Sequence, residues 1–77
     1  MITLDKLGID ERAIIHQVKG DEAMRRRLFD LGFVPGENIL CVLISPFRDP
    51  KAYKIRGNVI AIRNVDARGV VVEYEGD

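Results

Sequence analysis

Groups able to do covalent chemistry are few in this chain. It holds one histidine, His16, one cysteine, Cys41, and one serine, Ser45. A nucleophile, its base and an orienting group must converge in space, and these three fall on separate segments. The inventory therefore argues against an enzyme. Metal ligation is poorly supplied as well. There is no Cys-x-x-Cys, no histidine pair and no Asp/Asn ladder of calcium-loop spacing. Asp5, Asp10 and Glu11 cluster near the start, but three carboxylates on a polar segment read as solvated surface. The glycines stand singly and form no phosphate-cradling loop. No cofactor and no resident metal are expected.

What remains is recognition. Arg25-Arg26-Arg27 is the most conspicuous charged run. Glu22 lies four residues before Arg26 and Asp30 four after it, which suits local ion pairs on a solvated helix face. The rival reading is contact with an anionic partner or RNA. Twelve basic residues balance twelve acidic ones, and the two halves of the chain are balanced too. That argues against a nucleic-acid or anionic-membrane footprint. The aromatics say more. Phe29 falls about 140° from Met24 on a helical wheel, off the apolar stripe. Phe47 sits in a loop bracketed by Pro46 and Pro50. Exposed aromatics mark partner surfaces. Tyr53 either closes the core or faces a partner. Arg26, Phe29, Phe47 and Tyr53 are the candidate partner-binding residues.

These side chains need elements to hold them. Met24, Leu28 and Leu31 fall within about a 60° arc, the stripe of a core-facing helix over residues 22–31. Asp21 is its expected N-cap, and Glu22 adds negative charge to the first turn. Gly32 suits the left-handed stop, with Phe33 folding back on the last turn. Val34-Pro35-Gly36-Glu37 fits a type II turn. Around this helix the chain is β. Leu4–Leu7 reads as one helical turn or a loop pinned by two leucines. Ala13–Val18 is a first strand, with His16 on its outer face, and Asn38–Ile44 a second. The second is apolar on both faces and is expected to be the most buried strand, with Cys41 as a small apolar residue. Ala52–Arg56 and Val59–Arg63 flank Gly57-Asn58 and predict a two-residue hairpin. Asn64–Ala67 reads as a helical turn, and Gly69–Tyr74 as a last strand before a polar tail. At 77 residues the chain is expected to be one domain. The predicted fold is mainly β, a small closed barrel of about five strands with one short helix and a helical turn.

Two blocks resemble the FeoA family, small proteins of bacterial ferrous iron uptake. The first is Arg27-Leu28-Phe29-Asp30-Leu31-Gly32-Phe33-Val34-Pro35-Gly36. The second is Asp49-Pro50, then Tyr53-Lys54-Ile55-Arg56-Gly57, Ile60-Ala61-Ile62-Arg63 and Asp66-Ala67. Their order and spacing are similar over essentially the whole chain. Arg48 departs from the pattern, standing where the family often has Gly. So do Asn58, where a larger residue often follows the hairpin glycine, and Asp66 in place of Glu. Gly8-Ile9-Asp10-Glu11 takes the place of an early Pro-Gly turn. The resemblance implies an SH3-like barrel acting as an accessory to FeoB, the membrane iron transporter with a cytosolic G-protein domain. The expected partner is that cytosolic domain, with only an indirect link to ferrous iron. The alternative is a small-barrel nucleic-acid-binding or metal-responsive regulatory module. No apolar run approaches a membrane span and no signal peptide is visible, so the expected location is cytoplasmic. The lone cysteine agrees with a reducing compartment.

Overall fold

A computed structural model describes residues 1–75. Gly76 and Asp77, the end of the expected polar tail, lie outside the described residues. The elements run β1 (Ile2–Thr3), a 3₁₀ turn (Leu4–Lys6), β2 (Arg12–Val18), α1 (Glu22–Asp30), β3 (Asn38–Ile44), β4 (Lys51–Ile55), β5 (Asn58–Ile62), α2 (Asn64–Ala67) and β6 (Val70–Tyr74). The strands form one antiparallel sheet in the order β1-β6-β2-β3-β4-β5. Inward residues from β2 to β6 all join one apolar cluster, which a flat sheet cannot achieve, so the sheet is curled on itself. β1 and β5 are its two ends. The hydrogen-bonded ladder is therefore not continuous around the barrel, in contrast to the full closure expected. The 3₁₀ turn helps to close it: Tyr53 Oη donates to the carbonyl of Leu4 at 3.3 Å, and Lys51 Nζ donates to the carbonyls of Asp5 and Leu7. The sixth strand, β1, is two residues long, too short to leave an alternation in the sequence.

α1 is built as its residues dictate at both ends. The Asp21 side chain accepts the Met24 N–H at 2.8 Å, satisfying one of the orphan donors of the first turn. At the other end Gly32 takes φ +104°. The Gly32 N–H reaches the Phe29 carbonyl and the Phe33 N–H the Leu28 carbonyl, both at 2.9 Å. That pair of bonds is a Schellman stop. The helix ends one residue earlier than expected, at Asp30. Leu31 becomes the C-cap and is exposed, so the core stripe is Leu28 with half-buried Met24 and not the predicted triplet. Phe33, fully buried, takes the place assigned to Leu31.

Two strands depart from plain alternation. β2 bulges between Ile15 and Gln17, which turns His16 and Gln17 outward together and returns Val18 to the core. β3 bulges between Cys41 and Leu43, so Leu43 swings out to 59% exposure. The most buried strand is consequently β4, with only Lys54 exposed along it, and not β3 as expected. The hairpin also shifts by one residue. Its turn is Arg56-Gly57, at φ 52° and 84°, and Ile55 pairs with Asn58. Positive φ at both central residues is a type I′ turn. The predicted Gly57-Asn58 turn would shift every cross-strand pair by two positions. Both registers bury the same face, so the apolar pattern could not separate them.

The β3–β4 loop, whose Asp49–Pro50 peptide is cis, is clamped to the start of α2. Asp49 Oδ1 accepts the Asn64 N–H at 2.9 Å, and Asn64 Nδ2 donates to the Arg48 carbonyl at 2.8 Å. Arg48 itself sits at φ +65°. A left-handed conformation costs an L-residue about 1–2 kcal/mol, and glycine escapes that cost while losing more chain entropy on folding. Arg48→Gly is therefore expected to stabilise the domain by about 0.5–1 kcal/mol, read as a higher urea midpoint with an unchanged m-value.

Candidate partner-binding site

α1 offers three surfaces besides its buried stripe. On one flank Arg27 reaches α2, with its guanidinium 3.7 Å from the Asp66 carboxylate. Asp66 also takes Arg63 at 3.2 Å. Arg27 thus leaves the helix surface to tie α1 to α2. On the opposite flank Arg25 lies over the Phe29 ring at 5.9 Å, a cation–π contact that holds both side chains. That flank faces the end of β2 across an open groove of about 410 Å³, lined by His16, Lys19, Arg25, Phe29 and Pro35 among others. Between the flanks, Arg26 is exposed beside Glu22 and Asp30. Among the described residues no ion pair within 4 Å joins Arg26 to either acid. The local pairing expected along the helix is not formed.

The four candidate residues are not gathered into one patch. Arg26 and Phe29 lie on α1, with Phe29 37% exposed. Phe47 is 92% exposed at the tip of the β3–β4 loop. That loop and Arg27 both grip α2, at Asn64 and Asp66 respectively. Tyr53 is fully buried in β4. Its ring closes the core, and it leaves the surface set. Sequence reasoning missed the exposure of Leu43, Val59 and Val65. A bulge, an edge strand and a four-residue helix carry them, and none of these leaves a periodic signal.

The remaining chemistry is tied up locally. Asp5 accepts from Thr3 Oγ1 and faces Arg68 at 3.9 Å, and Glu11 Oε1 accepts the Gly8 N–H at 2.6 Å. Among the described residues no group of three or more His, Cys, Asp or Glu is placed to hold a metal ion. Of the basic residues that a nucleic-acid surface would recruit, Arg56 faces Glu37 and Arg63 faces Asp66. Cys41 points into the core and His16 out of the sheet, so they do not form a nucleophile–base pair.

Burial pushes the Cys41 thiol above its ordinary value, an effect partly opposed by Lys51. Burial pushes the Tyr53 hydroxyl up more strongly, and the nearby Cys41, Asp5 and Asp49 add to it. For both groups the folded state holds a proton that the unfolded chain releases first. Their contribution is complete below the unfolded values, 9.0 for the thiol and 10.0 for the phenol, and is lost as pH climbs past them. Stability is expected to fall above about pH 9, at up to ~1.4 kcal/mol per pH unit for each released proton. Urea midpoints across pH 7–11 check this, and Tyr53→Phe is expected to flatten the part above pH 10.

The profile of the FeoA domain matches residues 2–74. The chain belongs to the FeoA domain family. It is 36% identical over 70 residues to an Fe(2+) transport protein A/Fe(2+) transporter FeoB fusion protein of Porphyromonas gingivalis, covering 91% of this chain and 8% of that protein. The chain therefore spans a small part of this curated relative's length. Its fold superposes on the solution structure of FeoA from Chlorobium tepidum with a TM-score of 0.91 at 31% identity, covering 97% of this chain and 71% of that one. A zinc-complexed FeoA of Stenotrophomonas maltophilia, described as a prokaryotic SH3 domain protein, gives 0.83 at 31% identity over 95% and 91% of the two chains. Within this FeoA domain, the first resembling block is the Schellman stop and the turn after it, with Phe33 in the core. The second supplies the Asp49 clamp and the β4–β5 hairpin. Both blocks specify architecture more than a contact surface. Among the described residues, no helix is long and apolar enough to cross a membrane.

Proposed function

We propose that this FeoA domain is a non-enzymatic cytosolic accessory of ferrous iron uptake, acting by docking on the cytosolic G-protein domain of a FeoB-type transporter. One observation carries the reading: in the Porphyromonas gingivalis relative the matching region is continuous with FeoB in one polypeptide. A covalent tether raises effective concentration and suits two modules that work in contact. No cofactor of its own enters this role, and iron is the transporter's cargo.

The docking face is assigned to the exposed side of α1, with Arg26 and Phe29, and to the β3–β4 loop tip with Phe47. Phe47 is a large apolar ring with almost no cover, and exposed aromatics bracketed by charge are the usual anchors of protein interfaces. The test is an amide NMR titration of the full chain with the cytosolic domain of its cognate FeoB. Saturable shifts are expected on Glu22–Asp30 and on residues 45–50. Phe29→Ala with Phe47→Ala is expected to weaken binding at least tenfold while leaving the fold intact, because both rings contact solvent. Unchanged affinity and unchanged iron uptake in the double variant would remove this face from the reading.

A further inference from the structure

Phe29 and Arg25 border two depressions of different electrostatic character. Toward solvent, the shallow surface beside them includes the carboxylates of Glu22 and Asp30. Toward β2, the groove of about 410 Å³ is lined by His16, Lys19 and Arg25 around Phe29 and Pro35, with no Asp or Glu in its wall. The asymmetry has a structural origin. The β2 bulge turns His16 and Gln17 outward together, and Lys19 follows where the strand leaves the sheet. The Schellman stop and the turn after it carry Pro35 back to the same rim. In a chain with equal numbers of acidic and basic residues, a wall of this kind is a local excess of positive charge beside the apolar Phe29 and Pro35.

We propose that this groove receives an acidic segment of a protein partner, with an apolar side chain of that segment resting on Phe29 and Pro35 and its carboxylates facing Lys19 and Arg25. The Arg25 guanidinium is already held over the Phe29 ring, so less side-chain freedom is lost when a carboxylate pairs with it. Carboxylates are selected over the phosphates of nucleic acid by scale. One groove offers two cationic side chains, whereas RNA binding draws on a basic tract along many phosphates, and Arg56 and Arg63 elsewhere are already faced by acids. The inference rests on the reading of the domain as a docking module and locates the charged part of that contact.

The experiment uses the full chain and a defined probe, a twelve-residue Asp/Glu peptide with a central Leu-Phe pair. Amide shifts are expected on residues 17–20 and 25–29, saturating and weakening as salt rises. The Lys19→Glu, Arg25→Glu double variant is expected to lose at least tenfold in affinity and to gain binding to the matching Lys-rich peptide. Arg25→Lys, which keeps the charge but not the stacked guanidinium, is expected to fall between the native chain and the double variant. An undisturbed amide spectrum of the double variant shows that it folds. Three results overturn the proposal: no shifts at millimolar peptide, equal binding of the Asn/Gln version, or tighter binding of a twelve-nucleotide RNA at the same residues. Titrating the cytosolic FeoB domain against the same double variant separates the two readings. Tight binding by the variant leaves the docking role standing and removes the groove from it.

Discussion

Phe33→Ala is expected to remove a large part of the protein's stability and to lower its urea midpoint sharply. Phe33 is fully buried and lies in the central cluster with Leu28, Ile39 and Ile55. Removing a buried phenyl ring costs about 3–5 kcal/mol in lost transfer energy and residual cavity. A chain of this length has about 4–12 kcal/mol of total stability. The Phe33 backbone N–H, which alanine keeps, closes the Schellman stop on the Leu28 carbonyl, but without the ring to anchor it in the core the end of α1 loosens as the core does. Far-UV circular dichroism against urea checks the result. Phe33→Leu, which keeps most of the volume, is expected to cost less than about 1.5 kcal/mol and to remain folded. A similar loss in both variants would mean that the ring's shape, and not its volume, holds the helix on the barrel.

Lys51→Met is the second large effect expected, about 2 kcal/mol, concentrated at the N-terminus. Lys51 is 8% exposed, and its Nζ donates to the carbonyls of Asp5 and Leu7. Hydrogen bonds from a charged group contribute about 1.5–3 kcal/mol, and losing the donor leaves two carbonyls without it. Methionine removes the cost of burying an amine, which offsets part of the loss. The 3₁₀ turn then keeps its own bonds, the 3.3 Å contact from Tyr53, the Asp5–Arg68 pair and the packing of Leu4. Hydrogen exchange is the measurement: the Leu7 amide, bonded to Leu4 at 3.0 Å, is expected to lose more protection than amides of β3 and β4. Uniform loss across the barrel would show that the turn and the sheet open together.

These two residues mark the boundary of what could be read from composition and spacing. Phe33 was legible because its role follows from neighbours in sequence. A stripe, a glycine that accepts positive φ and an apolar residue after it define a helix stop whatever the rest of the chain does. The same holds for the Asp21 cap and for the Val34–Glu37 turn, where Gly36 takes φ +95° and the Glu37 N–H meets the Val34 carbonyl at 3.1 Å. Lys51 was not legible. A lysine between a proline and an alanine reads as surface, and its burial depends on carbonyls more than forty positions away.

The candidate surface divides the same way. Phe47 in its proline-bracketed loop and Phe29 off the apolar stripe could be singled out as candidates for exposure. Local geometry excludes them from the helix stripe and the strands, although either ring could still have tucked under a neighbouring loop. Tyr53 was not legible, since a strand aromatic faces in or out according to which side of the sheet the rest of the barrel covers, and that is set by distant segments. Sequence alone determined the family, the mainly β barrel, the helix with its two ends and the shortage of catalytic groups. These rest on short-range patterns and on residue types. Only the tertiary structure decided the strand bulges, the hairpin register, the burial of Tyr53 and Lys51, and the pairing of Arg27 with Asp66 across two helices. Each of these depends on contacts between distant segments, whose free energies are set by the whole packed core and leave no local trace.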